Sequence, residues 1–421
     1  MLLLYKLLTF FFYPFLIIII YIRKFLRKED DKRYIEKIFL SKLPKIKKNK
    51  LIWFHAASIG EVQSIIPLIK KINENNENIS FLITSVTLTS GKLIEEKFKN
   101  ISNLEHRYFP LDVSFLVKNF LDFWRPDIIL FVDSEIWPNF LTEIKKKGTP
   151  LILLNGRITK KTFIKWNIIL KTAQKIFQNF DLCLVSNNET FNYLKKFKAK
   201  NIKFIGNLKF ATEYKIDSPV TNKNNILNTK KFWCAVSTHE GEDVFCLKVH
   251  SNLKLKQKNL ITIIIPRHIN RAKSIGDLCK KLNLKYRILS KNDEIENEDE
   301  VIIVNSYGVV TNYLKLCKSV FIGKSIIRKL KPTGGQNPIE AAKLGCKIYH
   351  GPYIYNFQEI YKLLNEYKIA EEIRDIKELS NKLDFDFNNL KNINEKKIND
   401  INYLGKEILD NSYSEIKRFF N

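Results

Sequence analysis

Short apolar runs that end abruptly in polar clusters recur along this chain in two series, and that alternation constrains the fold more than any other feature. The first series is LIWFHAA (51–57), ISFLITSV (79–86), DIILFVDS (127–134), PLILLNG (150–156) and DLCLVSN (181–187). After the first run, SIGEVQSIIPLIKKI (58–72) places its apolar residues at helical spacing, and a second helix is expected near 90–99. Strands alternating with helices predict a parallel sheet covered on both faces. The pattern stops over 213–230, where EYKIDSPVTNKNNILNTK is polar and Asn-rich and is expected to be a linker. It resumes with FWCAVST (232–238), ITIIIPRH (261–268), YRILS (286–290), VIIVNS (301–306), SVFIGKS (319–325) and CKIYHG (346–351). The expected architecture is α/β, with Rossmann-like domains over 29–212 and 231–392 facing across a cleft. A helical stretch over 393–421 is expected to pack back on the first domain.

The N-terminal segment is a separate signal. Residues 2–22, LLLYKLLTFFFYPFLIIIIYI, carry one charge, Lys6, and are followed by Arg23, Lys24, Arg27 and Lys28. About 20 apolar residues suffice to span a bilayer, and the basic flank favours a cytoplasmic bulk. A cleaved signal peptide would want a basic start and a small-residue cleavage site, and neither is present. An interfacial helix is the other alternative, but residues 7–22 show no polar face. Residues 1–28 are therefore expected to form an uncleaved anchor, with Pro14 as a possible kink.

Net charge is +27, from 71 Lys and Arg against 44 Asp and Glu. That balance favours an anionic partner such as nucleic acid, anionic lipid or an acidic substrate, without choosing among them. The six cysteines show no CxxC spacing and no zinc-ligand pattern, so reduced buried thiols are expected. Walker, GxGxxG, HExxH and GxSxG sequences are all missing, which disfavours kinases, dehydrogenases, zinc proteases and serine hydrolases.

Open parallel sheets bind ligands beyond the carboxyl ends of their strands, where the polar clusters of this chain fall. In HAASIGE (55–61), Ser58 and Glu61 have capping-box spacing. At a strand-to-helix turn the same carboxylate can accept a proton from an attacking hydroxyl, and helix N–H groups are expected to keep it ionised. DSEIWPN (133–139) offers Glu135 as a second carboxylate or acceptor grip, and NGR (155–157) offers Arg157 to an anion. In STHEGE (237–242), Ser237 and Thr238 are candidates for holding a phosphate or carboxylate, and Arg267 of PRH for a charge-assisted bond to phosphate. In TGGQNPIEAA (333–342), Gly334 and Gly335 are expected to let a ligand approach the backbone. Asn337 is expected to cap a helix with Pro338 in its first turn, and Glu340 to accept from ribose hydroxyls.

HAASIGE, VDSEIWPN, NGR, GNLKF, STHEGE, PRH and GGQNPIEAAKLG occur in an order that resembles the 3-deoxy-D-manno-octulosonic acid (Kdo) transferases of lipid A biosynthesis. The resemblance runs from about residue 51 to 358, ending in GPYIYNFQE, and includes the N-terminal anchor. It implies a GT-B fold with an acceptor domain first and a nucleotide-sugar domain second. It implies CMP-Kdo as donor, a lipid A precursor (lipid IVA) as acceptor, inversion at the anomeric carbon, and no cofactor or catalytic metal. Together with the apolar N-terminus and its basic flank, the expectation is a single-pass inner-membrane protein with cytoplasmic catalytic domains, an anionic membrane surface as partner, and no nucleic acid. By resemblance Glu61 is the general base and Glu135 is functionally important. Ser237, Thr238, Arg267, Gly335, Asn337 and Glu340 serve the donor, and Lys209 matches the GNLK lysine; Ser58, Arg157 and Gly334 complete the candidate set. Three positions depart from the family pattern: Asp133 in place of a glutamate, Gln336 where many members have His, and Lys324 where a glycine is usual. The other readings are a GT-B enzyme using a different nucleotide sugar and acceptor, a basic membrane-bound nucleic-acid binder, and a non-catalytic relative. No RNA module or aromatic–basic stripe supports the second, and Glu61 argues against the third.

Overall fold

The computed structural model describes residues 1–39, 50–214, 225–290, 293–389 and 395–420. Much of the expected linker (215–224), part of the stretch joining the anchor to the first domain (40–49), and residues 390–394 lie outside the described residues. The chain divides into two compact units, one of residues 1–212 with 404–421, the other of residues 213–403.

The first unit is built on seven parallel strands: β1 (Lys50–His55), β2 (Ile79–Ser85), β3 (Leu104–Tyr108), β4 (Ile128–Val132), β5 (Leu151–Gly156), β6 (Leu182–Val185) and β7 (Ile202–Phe204). Their order is β3-β2-β1-β4-β5-β6-β7. The chain works outward from β1 to one edge, then returns beside β1 to build the other half. The carboxyl ends of β1 and β4 therefore flank the switch point where such sheets bind ligands. β1, β2, β4, β5 and β6 are almost entirely buried, because helices cover both faces. Trp53, Phe109, Phe120, Phe131 and Phe140 form the aromatic centre of that core.

The second unit repeats the plan with β8 (Lys231–Thr238), β9 (Leu260–Pro266), β10 (Tyr286–Leu289), β11 (Val301–Val304), β12 (Ser319–Ile322), β13 (Lys347–His350) and β14 (Ala370–Glu372). The order is β10-β11-β9-β8-β12-β13-β14, all parallel, with the switch point between β8 and β12. All six cysteines are free and buried.

The long helix Glu395–Lys417 ends within the first unit. Ile408, Ser412 and Ile416 are buried there, Lys71 pairs with Asp410, and Lys203 Nζ meets Glu415 Oε2 at 2.8 Å. Gly405 lies so close to the Phe210 carbonyl that a β-carbon would meet it at 2.1 Å.

The N-terminal segment is bent beside Pro14, where the sequence offered a kink. It forms α1 (Leu2–Phe11) and α2 (Tyr13–Phe25), bent by 57°, and among the described residues no single helix is long and apolar enough to cross a membrane. Pro14 removes one backbone donor at the start of α2, and the break falls at Phe12. Polar atoms spaced four residues apart, on Tyr5, Thr9 and Tyr13, then tie the pair to the first unit.

Candidate active site

Ser58 is extended at φ −119° and caps α3 (Ile59–Asn75), its hydroxyl oxygen accepting from the Glu61 N–H at 3.4 Å. The Glu61 carboxylate turns back onto the same corner. Oε1 accepts from the Ser58 hydroxyl and Oε2 from the Ala57 N–H, both at 2.7 Å. The capping reading and the chemical reading thus share one geometry. The expectation that helix N–H groups keep Glu61 ionised meets an opposing effect. Burial, followed by the nearby Asp133 charge, raises its pKa from 4.5 to about 7 against the Ser58 bond, and Glu135 adds to the rise. A carboxyl poised there is matched to proton abstraction near neutral pH.

Across the switch point, Asp133 follows β4 with φ +62°. A non-glycine residue in this region costs energy, and Asp is among the side chains that adopt it most readily. Its carboxylate is 3.6 Å from Lys209 Nζ, and its carbonyl accepts from the Arg157 N–H at 3.2 Å. Asn155, also left-handed at φ +52°, accepts from the Leu208 N–H at 2.8 Å and so sets the turn bearing Lys209. Glu135 Oε2 takes the Trp137 indole N–H at 2.8 Å and lies 3.2 Å from His55 Nε2. Burial would raise the Glu135 pKa, but the His55 and Trp137 contacts hold it below the ordinary carboxylate value. Ser58, Glu61, Glu135, Arg157 and Lys209 thus gather at the carboxyl ends of β1, β4 and β5.

Sequence reasoning passed over His55. It is fully buried, stacks on Phe109 at 3.7 Å, and has Nδ1 3.0 Å from Thr84 Oγ1. The available signal was an imidazole ending a run of buried strand residues, since a buried polar ring needs partners.

In the second unit, Ser237 is left-handed at φ +57° where β8 ends, and Arg267 is exposed where β9 ends, its N–H bonded to the Thr238 carbonyl at 3.1 Å. Thr238 corrects the expectation placed on it. It is fully buried and its hydroxyl donates to Asp243 Oδ1 at 2.8 Å, so it shapes the turn and has no free hydroxyl for a ligand. Arg271 is likewise engaged, with Asp243 and the Thr238 carbonyl. Glu242, unremarked in the sequence, is the organising residue. Buried, it accepts from the N–H groups of His239, Lys324, Ser325 and Ile326 at 2.6–3.2 Å. That pins the loop after β12 to the turn after β8.

Lys324 has φ +59°, which explains why a glycine suits this position. Its carbonyl accepts from the Gly335 N–H at 2.7 Å, joining the double-glycine loop to the same corner. The space beside Gly334 is taken by the chain itself, since a β-carbon would meet the Tyr353 carbonyl at 2.2 Å. Gly334 is thus required by packing, not by ligand approach. Asn337 Oδ1 accepts from the Ile339 N–H at 3.1 Å, as a cap does, and Pro338 sits one position before the helix Ile339–Lys343, not inside it. Glu340 is half-buried, desolvation raises its pKa, and it accepts from the Thr311 hydroxyl at 2.5 Å. Among the described residues no group of three or more His, Cys, Asp or Glu is arranged to hold a metal ion.

Two parallel seven-stranded sheets, each with charged side chains at its switch point, make up the GT-B type of α/β fold. Residues 32–212 match the family described as 3-deoxy-D-manno-octulosonic-acid transferase (kdotransferase), and the enzyme of that name from Rickettsia bellii is 31% identical over 426 residues, covering 99% of both chains. The chain belongs to the Kdo transferase family. The Haemophilus influenzae 3-deoxy-D-manno-octulosonic acid transferase is 28% identical over 327 residues, covering 75% of this chain and 74% of its own. A crystal structure of a glycosyltransferase from Rickettsia africae is similar in fold, with a TM-score of 0.57 at 13% identity, over 89% of this chain and 99% of that one.

Proposed function

We propose that this enzyme transfers Kdo from CMP-Kdo to a lipid A precursor of the lipid IVA type, with inversion, at the inner membrane and from its cytoplasmic side. The observation that carries the reading is Glu61: a carboxyl at the switch point of the first sheet, poised at about 7 and oriented by Ser58 and Ala57. An acceptor hydroxyl attacks the anomeric carbon and yields its proton to Glu61. The bond from that carbon to the CMP phosphate oxygen breaks, and its electron pair leaves on the phosphate. The first unit, through Glu135, Lys209 and Arg157, orients the acceptor. The second unit holds the donor, with Arg267 countering phosphate charge as it develops. Ser237, Gly335, Asn337 and Glu340 belong to the donor side of this reading. The strong positive balance of the chain suits a donor and an acceptor that are both anionic.

The test compares wild type with Glu61→Gln on CMP-Kdo and a tetra-acylated lipid A precursor. Turnover should fall by about 10²–10⁴-fold, the usual contribution of a general base. CMP should raise the melting temperature of both proteins alike. Full activity in the variant removes Glu61 from the base role, and stabilisation by UDP but not CMP replaces the donor.

A further inference from the structure

A chain of polar atoms runs from the buried centre of the first sheet to its carboxyl edge. The Trp53 indole N–H donates to Thr84 Oγ1 at 2.9 Å, and that oxygen lies 3.0 Å from His55 Nδ1. His55 Nε2 lies 3.2 Å from Glu135 Oε2, which also takes the Trp137 indole N–H at 2.8 Å. Trp53, His55 and Thr84 are fully buried, so their polar atoms depend on one another. Phe109, stacked at 3.7 Å, and Phe131, edge-on at 5.2 Å, hold the plane of the imidazole. An indole N–H only donates, so Thr84 Oγ1 accepts from Trp53 and its own proton is left for His55 Nδ1. The Thr84 carbonyl, 3.3 Å from the same nitrogen, already accepts from the Ala56 N–H. With Nδ1 accepting, Nε2 carries the ring proton and faces the carboxylate.

We propose that Thr84 and His55 are positioning residues for Glu135: the Thr84 hydroxyl fixes the form of the His55 ring that donates to Oε2, and Oε1 is thereby presented to a hydroxyl of the acceptor. Both protein donors go to Oε2, and the side chain keeps 16% exposure, which leaves Oε1 to the substrate. The inference rests on the reading of Glu135 as an acceptor grip and adds to it two residues that touch no substrate. Glu61, Asp133, Arg157 and Lys209 are the other charged groups at this edge. The Glu135 charge adds to the lift on Glu61, and Lys209 faces Asp133 at 3.6 Å.

The test measures kcat and KM for the acceptor across pH, in the full chain with CMP-Kdo as donor. Thr84→Val keeps the shape of the side chain and removes the hydroxyl proton. Nδ1 then holds the ring proton against the Thr84 carbonyl, and Nε2 faces Glu135 without one. Burial, no longer opposed by that bond, raises the Glu135 carboxyl. Turnover that needed one deprotonation, at Glu61, then needs two, so the acid limb of kcat/KM should steepen towards a two-proton dependence. At its acid end kcat/KM should fall about tenfold, the loss of one hydrogen bond to a charged group. Thr84→Ser leaves a packing gap but returns the hydroxyl, and should restore the wild-type slope. If Thr84→Val fails to fold, Thr84→Ala is read against Thr84→Ser, since those two differ by the hydroxyl alone. CMP affinity, read by titration, should be unchanged throughout. A wild-type slope without the hydroxyl, beside an impaired Glu135→Gln, overturns the positioning role and leaves Glu135 in place. Unchanged kcat and acceptor KM in Glu135→Gln overturn instead the reading of Glu135 on which the role rests.

Discussion

Burial lifts the Glu61 carboxyl, the Asp133 charge adds to the lift, and the Ser58 hydroxyl opposes it. The working form of a base is the anion, which dominates above about 7. Turnover should therefore rise with pH through neutrality and level off above it; an acid limb still flat well below neutrality counts against Glu61. Asp133→Asn removes a charge that raises the value and should move the limb to lower pH. Ser58→Ala removes a bond that favours the anion and should move it to higher pH. Lys324 is strained in a different way. A side chain in the left-handed region costs about 1–2 kcal/mol, so Lys324→Gly should raise the unfolding free energy by about 1 kcal/mol, measured in urea. The carboxylates and Arg267 were legible in the sequence because strand ends put them at the ligand-binding edge. Thr238 was misread because a hydroxyl in a polar cluster looks available until Asp243, five residues on, is seen to claim it. His55 was hidden by the apolar run that contains it.

Among the elements, the strands found in sequence are those buried on both faces, together with β10. The three missed ones, β3, β7 and β14, are all edge strands. An edge strand is covered less completely, so LEHRY, IKF and AEE need not read as apolar runs. In the N-terminal helices the apolar run and the kink were legible, and the docking contacts were not. Mean apolarity announces the segment, while its docking depends on three polar atoms at four-residue spacing on Tyr5, Thr9 and Tyr13. The loop after β12 was equally hidden, because three of its backbone N–H groups bond to Glu242, some 80 residues earlier in the chain. Glu242→Gln turns one acceptor into a donor that faces N–H groups. It should lower stability by about 2–3 kcal/mol and weaken CMP binding, read by urea unfolding and by titration.

At the scale of the whole molecule, the first unit is discontinuous in sequence. It is made of residues 1–212 and the last stretch from Leu404, whose Ile408 and Ile416 are buried in it. Burying each isoleucine is worth about 1.5–3 kcal/mol. A fragment of residues 1–212 should therefore unfold at lower urea than the same fragment supplemented with a 404–421 peptide; equal midpoints remove the stabilising role of that segment. During synthesis, 191 residues of the second unit, 213–403, leave the ribosome between the two parts. At about 5–20 residues per second that interval lasts roughly 10–40 s. The nascent chain thus waits with its opening helices already made and its earliest sheet still missing a cover, and translation must finish before the first half of the enzyme does.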